Sequence, residues 1–155
     1  MTRVVVAGSR GITDYHTVSG AIRKHYPHDS SPKYWDDAEI VTGAADGVDT
    51  SAERFANEHN IELTLFDPYN PSQTATEYSY SEQFGRAFLE RNGEMAEYGD
   101  MLVAVWDGHS NGTRDMIEKM LDEGKPTYVE VQTSRDRGVD GLGKEETQSY
   151  VETDN

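Results

Sequence analysis

Residues 3–22 read RVVVAGSRGITDYHTVSGAI, and the order of patterns in this stretch sets the frame for the whole chain. Val4 to Ala7 is a short β-branched apolar run closed by Gly8, the pattern of a buried strand rather than a helix. Asp14 stands where it would cap a helix whose Val18, Ala21 and Ile22 share one face, and Pro27 stops that helix. The chain therefore opens as a strand, a glycine-containing turn and an amphipathic helix.

The alternation continues outward. After a polar, turn-rich stretch from His28 to Asp37, Ile40 and Val41 form a second short strand that ends at Thr42-Gly43. Val48, Ala52, Phe55 and Ala56 fall at i, i+4, i+7 and i+8, one face of a helix predicted to end near Asn60. Ile61, Leu63 and Leu65 alternate as a third strand up to Asp67-Pro68. A loop rich in Tyr, Ser and Thr leads to a third helix marked by Phe84, Ala87 and Phe88, with a break expected at Asn92-Gly93. Met101 to Trp106 is the most apolar strand. Met116, Ile117, Met120 and Leu121 face one side of a fourth helix, which Gly124-Lys125-Pro126 ends before a last strand at Thr127 to Val131. Strands alternating with helices of this length predict a single three-layer α/β domain, a parallel sheet of about five strands with helices on both faces. Residues 1–131 are assigned to the domain. Residues 132–155, whose only apolar side chains are Val139, Leu142, Tyr150 and Val151, read as an acidic, disordered tail.

Composition narrows the classes of function. The chain has 155 residues, with 29 Asp and Glu against 14 Lys and Arg, a formal net charge of −15. Six of the acids and three of the bases fall in 132–155, so residues 1–131 carry 23 against 11, a net of −12, and the acidity belongs to the folded domain. Such a surface disfavours nucleic acid, whose affinity rests on basic residues. No apolar run approaches the 18 or so residues that span a bilayer, and no secretory signal precedes the first strand, so a cytoplasmic protein is expected. The absence of Cys excludes disulfides, thiolate metal sites and a cysteine nucleophile, and the five His are scattered, so neither a metal nor a cofactor is expected. Lys is scarce, five against nine Arg. An acidic, Lys-poor surface suits a halophilic setting, where a Debye length of about 3 Å at 1 M salt screens self-repulsion.

In an open parallel sheet, ligands collect at the carboxyl ends of the strands. Three of those ends are rich in Gly, Ser and Thr: Gly8-Ser9-Arg10-Gly11, Thr42-Gly43-Ala44-Ala45-Asp46-Gly47-Val48-Asp49, and Asp107-Gly108-His109-Ser110-Asn111-Gly112-Thr113. Gly admits backbone amides close to a ligand, the hydroxyls add donors, and a helix N-terminus offers unpaired N–H groups, so an anion such as phosphate is the natural guest. The spacing fits neither the dinucleotide fingerprint with three glycines nor a P-loop, which needs Gly-Lys followed by Ser or Thr.

The order Val-Ala-Gly-Ser-Arg at 6–10, Thr-Gly-Ala-Ala-Asp-Gly-Val-Asp at 42–49, Arg91-Asn92, and Trp-Asp-Gly-His-Ser-Asn-Gly-Thr at 106–113 resembles the SLOG superfamily, and within it the small YspA-like branch. The resemblance covers about residues 3–131. It implies a Rossmann-like sheet that holds a nucleotide or nucleotide-derived small molecule at Gly8, Ser9, Arg10, Gly43, Ala44, Gly47, Asp49, Asn92, Asp107, Gly108, Ser110, Gly112 and Thr113. It also implies a homo-oligomer, since relatives of this kind tend to pair through helices, although the sequence itself carries no direct sign of one. The superfamily includes the cytokinin-activating LOG phosphoribohydrolases, the DNA-processing protein A family and nucleotide sensors.

Two classes of function stay open at this point, with a third behind them. One is a nucleotide-binding or sensing module. The other is a hydrolase of a nucleotide N-glycosidic bond, because Arg91 stands before Glu94-Met95-Ala96 as a LOG arginine stands before its Glu-Met-Ala segment. LOG enzymes place a Glu where this chain has Met116, and Asp115, one residue and about 100° earlier around the helix, is the nearest substitute. Arg91 and Asp115 are thus the catalytic candidates, with Asp49 as another acid. The third class is single-stranded DNA binding, which the acidic domain argues against. Tyr69, Tyr78 and Tyr80 are candidates for stacking on a base.

Overall fold

The computed structural model of the protein describes residues 1–26, 34–67, 80–132 and 147–152. In chain order they form β1 (Thr2–Gly8), α1 (Tyr15–His25), a short 3-10 turn (Tyr34–Asp37), β2 (Ala38–Thr42), α2 (Val48–Glu58), β3 (Glu62–Leu65), α3 (Tyr80–Tyr98), β4 (Met101–Trp106), α4 (Asn111–Asp122), β5 (Thr127–Gln132) and β6 (Thr147–Glu152). The sheet order is β3-β2-β1-β4-β5-β6. The first five strands are mutually parallel, as the alternation of strands and helices requires, and β6 runs antiparallel along β5.

Strand alternation divides the core between two helical layers. Val4 and Val6 point to the face covered by Val18 and Ile22 of α1 and by Ala52 and Phe55 of α2. Val5 and Ala7 point the other way, toward Met95 of α3 and Met116 and Met120 of α4. Val4, Val5 and Val6 are fully buried, and each contributes about 1.5–3 kcal/mol relative to exposure, so the central strand anchors both layers at once.

The helix ends follow local chemistry. Asp14 accepts hydrogen bonds from the His16 N–H at 3.2 Å and the Thr17 hydroxyl at 2.8 Å, which starts α1. That helix stops at His25; Pro27 lies outside the described residues. Beyond α2, Asn60 takes the left-handed conformation (φ 55°), and Gly124 does the same beyond α4 (φ 71°), so each chain turns back into a strand.

Two expectations are corrected. The break at Asn92-Gly93 does not occur, and α3 runs unbroken from Tyr80 to Tyr98. Asn92 is poor in helix propensity, but its amide is buried and bonded to α4, and that tertiary contact outweighs the local preference. The reading of 132–155 as a disordered tail also fails where the chain can be followed: Gln132 completes β5 and residues 147–152 form β6. An edge strand needs only the backbone donors and acceptors that β5 presents, so a polar sequence with little apolar signal can still pair. Residues 133–146 lie outside the described residues.

Candidate nucleotide-binding cleft

β1 and β4 are neighbours at the centre of the sheet, yet their connections leave in opposite directions, through α1 toward β2 and through α4 toward β5. This reversal opens a crevice above the strand ends. A cleft of about 640 Å³ occupies it, bounded by the loops after β1, β2 and β4 and by the inner face of α3.

Ser9 joins two of those loops. It is buried, its hydroxyl lies 2.9 Å from the Ser110 hydroxyl, and it accepts from the Asp107 N–H at 2.9 Å. Gly8 must be glycine for the strands to approach, because a Cβ there would sit 2.1 Å from the Val105 carbonyl oxygen and 2.6 Å from Val48 Cγ2. After β4, Asp107 folds its own turn by accepting from the N–H groups of His109 and Ser110, both at 2.8 Å. Burial pushes its pKa upward, but the N–H donors of Ser110 and His109 and the hydroxyls of Ser9 and Ser110 together hold it below the usual carboxylate range.

The loop from Thr42 to Asp49 is organised by the acid at its end. Asp49 is buried at the start of α2, and its Oδ2 accepts from the N–H groups of Gly43 and Ala45, each at 3.1 Å. Burial raises its pKa to about 6 against the lowering pull of the Ala45 N–H, the Arg91 charge and the Gly43 N–H. The Thr42 hydroxyl accepts from the Ala44 N–H at 3.2 Å. Gly47 (φ 79°) presses against the carbonyl oxygens of Ser9 and Arg10, which a Cβ would meet at 2.6 and 2.4 Å.

Helix α3 supplies the third wall. Arg91 Nη1 donates to the Gly43 carbonyl at 2.7 Å and Nε to Asn92 Oδ1 at 3.1 Å. Its guanidinium packs so tightly on Gly43 that a Cβ there would lie 1.9 Å from Nη1. The Asn92 amide donates to the Gly112 carbonyl at 3.1 Å and to Asp115 Oδ2 at 2.9 Å, which fastens α3 to the first turn of α4.

Of the residues singled out from sequence, Gly8, Ser9, Arg10, Asp49, Arg91, Asn92, Asp107, Ser110, Gly112 and Thr113 line the cleft. Gly43, Ala44, Gly47 and Gly108 do not; they shape the loops behind it. The sequence reading missed Phe88, Leu89, Met95 and Met116, which form the apolar wall. For Phe88 and Met95 the available signal was their i−3 and i+4 spacing about Arg91 on α3. Tyr69 and Tyr78 lie outside the described residues, and for Tyr80 only the backbone is described.

Residues 2–70 match the model of the YspA, cpYpsA-related SLOG family. Over that stretch the chain is similar to the YspA-like SLOG proteins. No curated protein matches it. The matched stretch includes β1, β2 and β3 and the loops after β1 and β2 that border the cleft. Arg91 and the 107–113 loop lie beyond it and are tied to the SLOG loops by the Arg91–Gly43, Ser9–Ser110 and Ser9–Asp107 bonds.

Asp115, the substitute acid nearest the LOG glutamate position, does not border the cleft. Its carboxylate is held by Lys119 Nζ at 2.6 Å and by Asn92. One helical step turns it away while Met116 takes the wall. The carboxylates that do line the cleft are Asp49 and Asp107. Among the described residues, no group of three or more His, Asp or Glu is arranged to hold a metal, and no helix is long and apolar enough to cross a membrane.

Proposed function

We propose that this SLOG domain binds a nucleotide or nucleotide-derived small molecule as a binding or sensing module, its phosphate at the N-terminus of α4 and its sugar near Asp107. The observation that carries this reading is the open first turn of α4. The N–H groups of Asn111, Gly112 and Thr113 have no acceptor among the described residues, and Ser110, the N-cap, spends its hydroxyl on Ser9 and Thr113 instead of capping. Asn111, Gly112 and Thr113 line the cleft, and the free N–H groups of a helix start favour an anion through both hydrogen bonding and the helix dipole. Arg10 and Arg91 add positive charge to the lining, on a chain whose net charge is −15. Isothermal titration with AMP, cytidine monophosphate, NAD and ADP-ribose tests the reading, alongside native mass spectrometry for a co-purifying nucleotide. At least one ligand should bind, more weakly to Arg91→Ala. Absence of binding across the panel together with no bound nucleotide would overturn it.

A second reading, hydrolysis of a nucleotide N-glycosidic bond, is favoured by one observation. Asp49 combines a near-neutral pKa with burial in the cleft and the influence of the Arg91 charge, the properties of a general acid or base. Base release from the same nucleotides, followed by chromatography and abolished in Arg91→Ala and Asp49→Asn, would establish turnover. Bound but intact nucleotides would leave the binding module.

A further inference from the structure

We propose that Phe88 and Arg10 are the two jaws of a slot that takes the planar base of the ligand, ring on one side and guanidinium on the other. The proposal rests on the nucleotide reading above and adds to it which end of the ligand goes where, and which bases bind best.

The two residues face each other across the cleft. Arg10 rises from the loop after β1, Phe88 stands on α3, and the guanidinium carbon lies 5.5 Å from the ring centroid. The Phe88 ring is also approached from its own helix by the Arg91 guanidinium at 5.4 Å, which steadies it. Arg10 is exposed, makes no ion pair among the described residues, and sits between Gly8 and Gly11, so it is the jaw that can yield. Stacked bases are spaced by roughly 3.4 Å, so a base inserted between the jaws needs about 7 Å, about 1.5 Å beyond the observed 5.5 Å. The cation–π contact surrendered is replaced by a base–aromatic stack and a base–guanidinium contact.

Helix α3 provides the ruler. Asn92 touches the Gly112 carbonyl in the first turn of α4, at the level proposed for the phosphate. Phe88 lies four residues earlier, about 6 Å along the helix toward its N-terminal end. A ribose spans that gap. Beside Phe88, Leu89 is 51% exposed and apolar, so the mouth offers surface rather than hydrogen bonds to a base edge. Recognition by stacking alone tolerates any base but favours the larger π-face, so purine nucleotides should bind more tightly than pyrimidine ones.

The test is isothermal titration of the full chain with AMP, cytidine monophosphate and ribose 5-phosphate, which lacks a base. Phe88→Ala should weaken AMP about tenfold while changing ribose 5-phosphate by less than about twofold. Phe88→Trp should retain AMP affinity and add a fluorescence signal that AMP quenches and ribose 5-phosphate does not. If Phe88→Ala is not folded by circular dichroism, Arg10→Gln, at an exposed position, reads the same AMP to ribose 5-phosphate ratio. A ratio unchanged in these variants, or a wild type that binds AMP no better than ribose 5-phosphate, overturns the slot while leaving the phosphate site standing. A wild type that binds none of the three overturns the nucleotide reading itself.

Discussion

Gly43→Ala tests the contact that brings α3 and the loop after β2 together. The new methyl would sit 1.9 Å from Arg91 Nη1 and 2.5 Å from Cζ, where ordinary contact is 3.4–4 Å. The backbone at Gly43 is not in the left-handed region, so the substitution costs nothing in φ and the clash is the whole perturbation. Arg91 is the far end of a flexible side chain and can retreat by about 1.5 Å, which stretches its 2.7 Å bond to the Gly43 carbonyl past hydrogen-bonding range. A hydrogen bond to a charged group is worth about 1.5–3 kcal/mol, and replacing Gly by Ala in an unstrained position returns about 0.4–1 kcal/mol. The net loss should be about 1–2 kcal/mol, a fall in Tm of a few degrees at this chain length. Urea midpoints in a double-mutant cycle with Arg91→Ala decide the matter. With the guanidinium removed the added methyl has room, so Gly43→Ala should become neutral or slightly stabilising, giving a coupling of about 1–3 kcal/mol. Nucleotide affinity should fall less with Gly43→Ala, which keeps the guanidinium, than with Arg91→Ala, which removes it. Equal costs of Gly43→Ala in both backgrounds would refute the reasoning.

Asp49, with a folded pKa of about 6 against about 3.9 in an unfolded chain, gives stability that is complete below about pH 4 and lost as pH rises through about 6. Asp49→Asn keeps an acceptor for the Gly43 and Ala45 N–H groups, so its urea stability should gain on the wild type by up to about 3 kcal/mol between pH 4 and 7; a constant difference across that range would contradict this. Gly93→Ala, in the middle of α3 where a Cβ meets nothing within 4 Å, should raise stability by up to about 1 kcal/mol, and a lower Tm would show that the helix has no room there. If the net charge of −15 reflects adaptation to salt, the urea midpoint should rise between low and molar KCl, and a flat response would remove that reading.

Local patterns carried the parallel sheet and its helices. Met101 to Trp106 reads as a strand because a continuous apolar run buried on both faces leaves no other interpretation, and it occupies those residues in the structure. The strand-end loops were legible for a similar reason, since glycines mark where backbones must approach. What could not be read locally depends on partners distant in sequence. Asn92 looks like a helix break until its amide meets Gly112, 20 residues on. Arg91 could be placed in the site, but its grip on Gly43, 48 residues away, gives no sequence signal. Motif matching set Met116 at the LOG glutamate position and Asp115 one helical step away, and Met116 is the residue on the cleft wall, but Asn92, the partner from α3 that holds Asp115, had no sequence signal.

The backbone of Gly43 is held from both layers of the molecule. An anion from α2 grips its N–H and a cation from α3 grips its carbonyl, and these two helices lie on opposite faces of the sheet. A ligand that draws Arg91 toward itself loosens one end of that residue while Asp49 still holds the other. Occupancy of the cleft would thus be felt at the start of α2, on the far layer. Across related chains, a change at any one of Gly43, Asp49 and Arg91 should be accompanied by changes at the other two, so the three should vary as a unit.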